Sequence, residues 1–214
     1  MTRDLLKTLE EQVQPQHTAL LVVDMQNDFC AEGGYLHRAR RGDAVTGIRV
    51  DDNERIADNI RDLAAAARAA GVPVVWLRAI YDFKYLAESQ IVKRGVEDCC
   101  LEGSWGADFF RIRPEVQDLV VDKHSFSGFH DTRLHALLRE RGVRTLVMTG
   151  VATNVCVDST LREGFFLGYH IVVAEDCVGS GNRVAHEGTL STVRVNFGTV
   201  TDHHRLVALL ARVQ

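Results

Sequence analysis

The sequence predicts an α/β fold in which helices cover both faces of a largely parallel sheet. Short β-branched runs recur at residues 19–23, 72–77, 118–122, 145–149 and 170–174. They have the length and apolar character of strands buried on both sides. Stretches with apolar residues at helical spacing stand between them, at 52–70, 131–141, 154 onward and 183–195. Strands alternating with helices of this length build βαβ units, and right-handed crossovers place the helices in two outer layers. No repeat, low-complexity tract or linker interrupts the 214 residues, of which 46% are hydrophobic, so residues 1–214 are read as one domain with one sizeable core.

Leu5, Leu6, Leu9 and Val13 stand at helical spacing, and residues 1–16 are read as a helical extension that packs on the core or on a neighbouring subunit. The first strand, 19–23, ends at Asp24. Residues 28–51 are rich in Gly, Arg and Asp and read as a loop of the active-site type. The Ala-rich helix 52–70 is closed by Gly71. Residues 79–117, punctuated by Gly95, Gly103 and Gly106, predict loops with short helices. The strand 118–122 stops just before Lys123. The helix 131–141 has Asp131 as cap and Gly142 as terminator. A strand at 145–149 leads into a helix from Asn154, a strand at 170–174 into the helix 183–195. A short strand near Thr199 and Val200 and a helix over 203–213 complete the chain.

Composition excludes several classes of function. The formal charge is −4, with no basic field for nucleic acid and no polybasic cluster for a membrane surface. No apolar run approaches the ~18 residues of a membrane span. The first residues, Met1 to Leu6, lack the apolar core of a signal peptide. The five cysteines (Cys30, Cys99, Cys100, Cys156, Cys177) have no framework spacing, so reduced thiols and a cytoplasmic location are expected.

Three reactive side chains stand at equivalent places. Asp24 ends the first strand, Lys123 the third, and Cys156 follows the fourth. In a parallel sheet the carboxyl ends of the strands share one edge, where ligands bind, so the three can converge. A thiol in the first turn of a helix lies in the positive end of the helix dipole, and a lysine ammonium nearby further favours the thiolate. Asp24 can take the thiol proton and pass it to a leaving amine. The turn N–H groups of Ala152 and Cys156 can hold a tetrahedral oxyanion. That set hydrolyses an amide through a covalent acyl-enzyme.

At these residues the chain resembles the isochorismatase-like cysteine hydrolases over nearly its whole length. The matching segments are Leu21-Val22-Val23-Asp24-Met25-Gln26-Asn27-Asp28-Phe29, Lys123 within Asp122-Lys123-His124-Ser125-Phe126-Ser127-Gly128-Phe129, and Gly150-Val151-Ala152-Thr153-Asn154-Val155-Cys156-Val157. The resemblance implies a Rossmann-like sheet, an Asp24–Lys123–Cys156 triad and a non-proline cis peptide at Val151–Ala152. It also implies a homo-oligomer, a dimer or tetramer.

Nicotinamidases of this family carry a metal site built from an Asp-x-His element and further histidines after the second strand. Here Asp82 is followed by Phe83 and Lys84, so no catalytic metal and no cofactor are expected. His37, His124, His130 and His135 form no ligand-spaced pair and read as surface or loop residues. Vinyl-ether-cleaving isochorismatases can work without a nucleophilic cysteine, so Cys156 favours acyl chemistry. The helix from Asn154, with Ser104-Trp105 and Ser127-Gly128-Phe129, looks most like ureidoacrylate amidohydrolases, with biuret, triuret and N-carbamoyl hydrolases as near neighbours. The expected substrate is a small ureido or carbamoyl compound, with Asn27, Phe29, Tyr35, Trp105 and Phe126 as candidate pocket residues. Arg38, Arg40, Arg41 and Arg78 are candidates for an anionic substrate group. Nicotinamidase or isochorismatase activity is the alternative, and a non-catalytic binding module on the same fold a further one. The run Gly179-Ser180-Gly181-Asn182 is half a dinucleotide fingerprint without its last glycine or a first βαβ unit.

Overall fold

The computed structural model describes residues 5–39, 50–94 and 98–212. Its sheet has six strands, all parallel: β1 (Thr18–Val23), β2 (Val74–Ala79), β3 (Leu119–Lys123), β4 (Thr145–Val151), β5 (His170–Gly179) and β6 (Gly198–Thr201), in the order β3-β2-β1-β4-β5-β6. The helices are α1 (Leu9–Gln12), α2 (Asn27–Cys30), α3 (Tyr35–Ala39), α4 (Val50–Ala69), α5 (Glu88–Arg94), α6 (Leu134–Glu140), α7 (Asp158–Phe166), α8 (Arg183–Asn196) and α9 (His203–Ala211).

Strand alternation sorts the core into two layers. Leu20 and Val22 of β1, with Val74 and Trp76 of β2, pack under Ile56, Ile60 and Leu63 of α4 and Leu206 and Leu210 of α9. Leu21 and Val23, with Val75 and Leu77, pack under Leu134 and Leu138 of α6, Leu161 of α7 and Leu190 and Val193 of α8. Every residue of β1 and β4 is buried, which is why these runs read as continuous apolar stretches.

Some elements depart from the sequence expectation. The N-terminal helix is only one turn, Leu9–Gln12, held by a capping box between Thr8 and Glu11 and followed by a tight turn at Pro15–His17. Leu5 is exposed, and only Leu9 and Val13 reach the core. Asp131 does not cap α6; it sits at φ +52°, and the Thr132 hydroxyl accepts from Leu134 N–H. Strand β5 runs past residue 174 to Gly179, across a register shift against β4 between Met148 and Gly150. The extra length carries Asp176, which accepts from His203 N–H and pairs with His203 Nδ1 at 2.6 Å, fixing the start of α9.

Strands β1 and β4 are adjacent at the centre, where the chain order reverses, which is the ligand-binding crevice of an open α/β sheet. Gly150 makes their close approach possible. It pairs with Val23 at φ +102°, and a Cβ there would lie 2.0 Å from Val23 O. Gly150→Ala is therefore expected to cost at least about 3 kcal/mol in urea unfolding, from crowding and backbone strain together. An unchanged midpoint would refute that account of the β1–β4 junction.

Candidate active site

The carboxyl ends of three strands bring Asp24, Lys123 and Cys156 together. Asp24 leaves β1 at φ +50°, with its N–H donating to Leu77 O and its carbonyl accepting from Gln26 N–H. Lys123 ends β3 and reaches over β2, where its register partner is Ala79, whose methyl leaves room for the crossing. Lys123 Nζ lies 2.8 Å from Asp24 Oδ2 and donates to Ser125 O at 2.9 Å. Both ionic side chains are fully buried, and Cys156 is 6% exposed. Lys123 stands at ion-pair distance from the carboxylate but off the line of a good hydrogen bond. The carboxylate can thus still accept from the Cys156 thiol beside it.

Cys156 is carried on a wide helical turn, Thr153–Val157, in which Val157 N–H reaches back to Ala152 O at 3.2 Å. The peptide Val151–Ala152 before it is cis. The Thr160 hydroxyl donates to Cys156 O at 2.7 Å and accepts from Gly128 N–H at 2.9 Å. One buried hydroxyl therefore joins the thiol's turn to the loop that follows Lys123.

The electrostatics correct one expectation. The Cys156 thiol is not tuned toward thiolate; it is pushed up to about 12, first by burial and then by the Asp24 charge, against the opposing pull of Lys123. A lysine neighbour does favour thiolate, but desolvation outweighs it here. Burial likewise raises the Asp24 carboxyl despite Lys123. Burial acts to lower Lys123, but the causes led by the Asp24 charge outweigh it and hold the ammonium above the ordinary lysine value. The resting arrangement is a neutral thiol beside a carboxylate made more basic than usual, next to a fixed positive charge.

Residues that sequence reasoning passed over hold this set in place. Gln26 is fully buried; its Nε2 donates to Ala79 O and Ala107 O, both at 2.9 Å, and its Oε1 accepts from Ala79 N–H at 2.7 Å. Asp28 accepts from Tyr35 N–H at 2.9 Å and Cys100 N–H at 2.7 Å. Gly106 must be glycine beside it, because a Cβ would meet Asp28 Oδ2 at 2.0 Å. Both anchors lie inside the first quoted motif, where alternation with apolar neighbours gave no sign of them. Tyr81, whose hydroxyl lies 3.9 Å from Cys156 Sγ, stands in a segment after β2 whose pattern gives no sign of it.

The candidate pocket residues divide. Phe29 packs edge-on to Tyr81 with ring centroids 6.4 Å apart, which brings it to the triad. Asn27 is buried, and its Nδ2 donates to Trp105 O at 2.8 Å, holding the turn Trp105–Ala107. Trp105 and Phe126 expose 53% and 40% of their surface, and Tyr35 is half-buried at the start of α3. Arg78 does not face the site; it forms a two-pronged pair with Asp122 at 2.6 and 2.8 Å. Arg38 donates to Gly33 O, while Arg40 and Arg41 lie outside the described residues.

His135 is not a loop residue; it bonds Tyr169 Oη at 3.0 Å on α6. His124 bonds Ile80 O through Nδ1 and stacks on Tyr85. Among the described residues, two groups bring three metal-binding atoms within 4.8 Å of one another: Asp28–Cys99–Cys100 and Asp176–Cys177–His203. In each the carboxylate is already engaged, by backbone N–H groups or by His203. The glycine run after β5 is bound to the thiol's turn: Ser180 Oγ donates to Asn154 Oδ1, and His186 Nδ1 bonds Thr153 Oγ1 at 2.9 Å. Asn182 caps α8 by accepting from Ala185 N–H.

The isochorismatase domain family matches residues 18–205. The chain belongs to that family. It is 37% identical over 226 residues to the ureidoacrylate amidohydrolase RutB of Acinetobacter baylyi, covering 96% of this chain and 89% of that protein. The fold superposes on a cysteine hydrolase from Pseudomonas syringae pv. phaseolicola with a TM-score of 0.84 at 27% identity, covering 100% of both chains. It also superposes on N-carbamoylsarcosine amidase from Thermoplasma acidophilum with a TM-score of 0.69 at 27% identity, covering 87% of this chain and 96% of the other.

Proposed function

We propose that this isochorismatase-family protein is a one-domain, cysteine-dependent amidohydrolase that cleaves a C–N bond of a small ureido or carbamoyl compound, with ureidoacrylate as the leading substrate. The observation that carries the reading is the buried cluster of Asp24, Lys123 and Cys156, with Lys123 Nζ 2.8 Å from the Asp24 carboxylate and the thiol beside both. The likeness to an amidohydrolase of a ureido acid supports the substrate class.

Asp24 takes the thiol proton as Sγ bonds to the substrate carbonyl carbon. Lys123 stays protonated and offsets the negative charge that moves between sulfur and carboxylate. The oxyanion is received by the N–H groups of Ala152 and Cys156. Collapse breaks the C–N bond, and the Asp24 carboxyl returns its proton to the departing nitrogen. Water, deprotonated by Asp24, then attacks the thioester carbonyl; the C–S bond breaks and the thiol is re-formed. Asn27, Phe29, Tyr35, Trp105 and Phe126 border the entrance in this reading. A cytoplasmic location fits the five free cysteines, and among the described residues no helix is long and apolar enough to cross a membrane. Assembly into a dimer or tetramer belongs to the same reading and is carried by the family likeness.

Ammonia release from ureidoacrylate, biuret, triuret, carbamoylsarcosine and nicotinamide tests the proposal. Ureido and carbamoyl compounds are expected to be hydrolysed with kcat/KM at least ~100-fold above nicotinamide, since a site built for one polar substrate leaves its groups unpaired with another. Preference for nicotinamide would overturn the substrate class.

A further inference from the structure

Tyr81 follows β2 and is 4% exposed, with its hydroxyl 3.9 Å from Cys156 Sγ. Its ring lies under the other end of the triad, with Lys123 Nζ 5.7 Å from the ring centroid. Three contacts set the ring's position. Its backbone N–H donates to Cys100 O at 3.0 Å, Phe29 packs against its edge, and Ile80, Cys99 and Ala107 surround it. A tyrosine whose only role was to fill space would have no need to aim its polar end at a nucleophile.

We propose that Tyr81 is a further catalytic residue, whose hydroxyl donates a hydrogen bond to the Cys156 sulfur and stabilises the thiolate as it forms and as it leaves the acyl-enzyme. This rests on the reading of Cys156 as the nucleophile. The phenol keeps its proton throughout; the thiol proton goes to Asp24. A contact of this length in the resting enzyme shortens when sulfur gains charge, as catalytic hydrogen bonds commonly do. Lys123 and Tyr81 then divide the work: Lys123 compensates charge on both the carboxylate and the sulfur, whereas the Tyr81 hydroxyl acts on the sulfur. Tyr81 is among the groups that favour the thiolate against burial. The site needs that help, because burial opposes negative charge on sulfur.

The test is Tyr81→Phe, which removes one oxygen and keeps the ring, with kcat/KM for ammonia release and the rate of Cys156 alkylation by iodoacetamide at pH 7, followed on the Cys156 peptide by mass spectrometry. Loss of one hydrogen bond to a charged group is expected to lower kcat/KM about 10-fold or more and to slow alkylation at that pH about 10-fold. Singly ring-fluorinated tyrosine placed at position 81 is a stronger donor, and is expected to speed alkylation at the same pH. Tyr81→Phe with an unchanged alkylation rate, or the fluorinated residue slowing it, overturns the proposal. Activity retained in Cys156→Ala would instead sink the nucleophile assignment, so the two failures are distinguishable.

Discussion

Cys156→Ala is expected to reduce the rate of ammonia release from ureidoacrylate by at least about 10³-fold while leaving the fold intact. The thiol occupies a buried position, so its removal leaves a small void rather than an unpaired charge. The expected stability cost is only about 1 kcal/mol. Asp24→Asn should be similarly inactive, and the double variant no worse than either single one, because residues that act as a unit are not additive. Wild-type enzyme quenched in acid during turnover should show an acyl adduct on the Cys156 peptide by mass spectrometry, and Cys156→Ala should not. Substantial turnover by the alanine variant would mean that water is activated directly and that no thioester forms.

Lys123→Met is expected to destabilise the protein by about 3–5 kcal/mol near pH 7, because it leaves the Asp24 carboxylate buried without its counter-charge. The sign of its pH dependence follows from Asp24. Burial already raises that carboxyl above its ordinary value with Lys123 present, and loses its main opponent without it. A carboxyl raised in the folded state contributes stability that is complete below its unfolded pKa and lost as pH rises through the folded one. The variant is therefore least penalised in acid, and its deficit against wild type should narrow from pH ~7 toward pH ~5. Urea unfolding at the two pH values measures it. A deficit independent of pH would show that Lys123 acts there through packing rather than charge.

Why the site's ingredients were readable while its tuning was not is clear from particular residues. Asp24, Lys123 and Cys156 each follow a β-branched run, and parallel topology alone brings strand ends to one edge. The buried strands β1 and β4 are legible because both faces are covered and no charged residue interrupts them. The apolar pattern of β5 stops at residue 174 because Glu175 and Asp176 are charged, although Asp176 is engaged by His203. Leu5 and Leu6 have helical spacing without the burial to match. The state of the thiol is beyond sequence altogether: a helix terminus and a lysine argue for thiolate, and the degree of burial, with the Asp24 charge, decides against it. Gln26, Asp28 and Thr160 act through backbone groups distant in sequence, for which spacing carries no signal.

Gln26 has a consequence for how this enzyme can diversify. One amide side chain clasps the edge of β2 at Ala79 and the surface turn at Ala107 at once. The reacting groups hang from the sheet ladder, whereas Trp105 belongs to a turn fastened to it by a few such clasps. Under the proposed mechanism, chemistry and selectivity are thus separable parts of the molecule. Exchanging the residues between these fastenings can redirect the enzyme to a new amide while the machinery that breaks the bond is inherited unchanged.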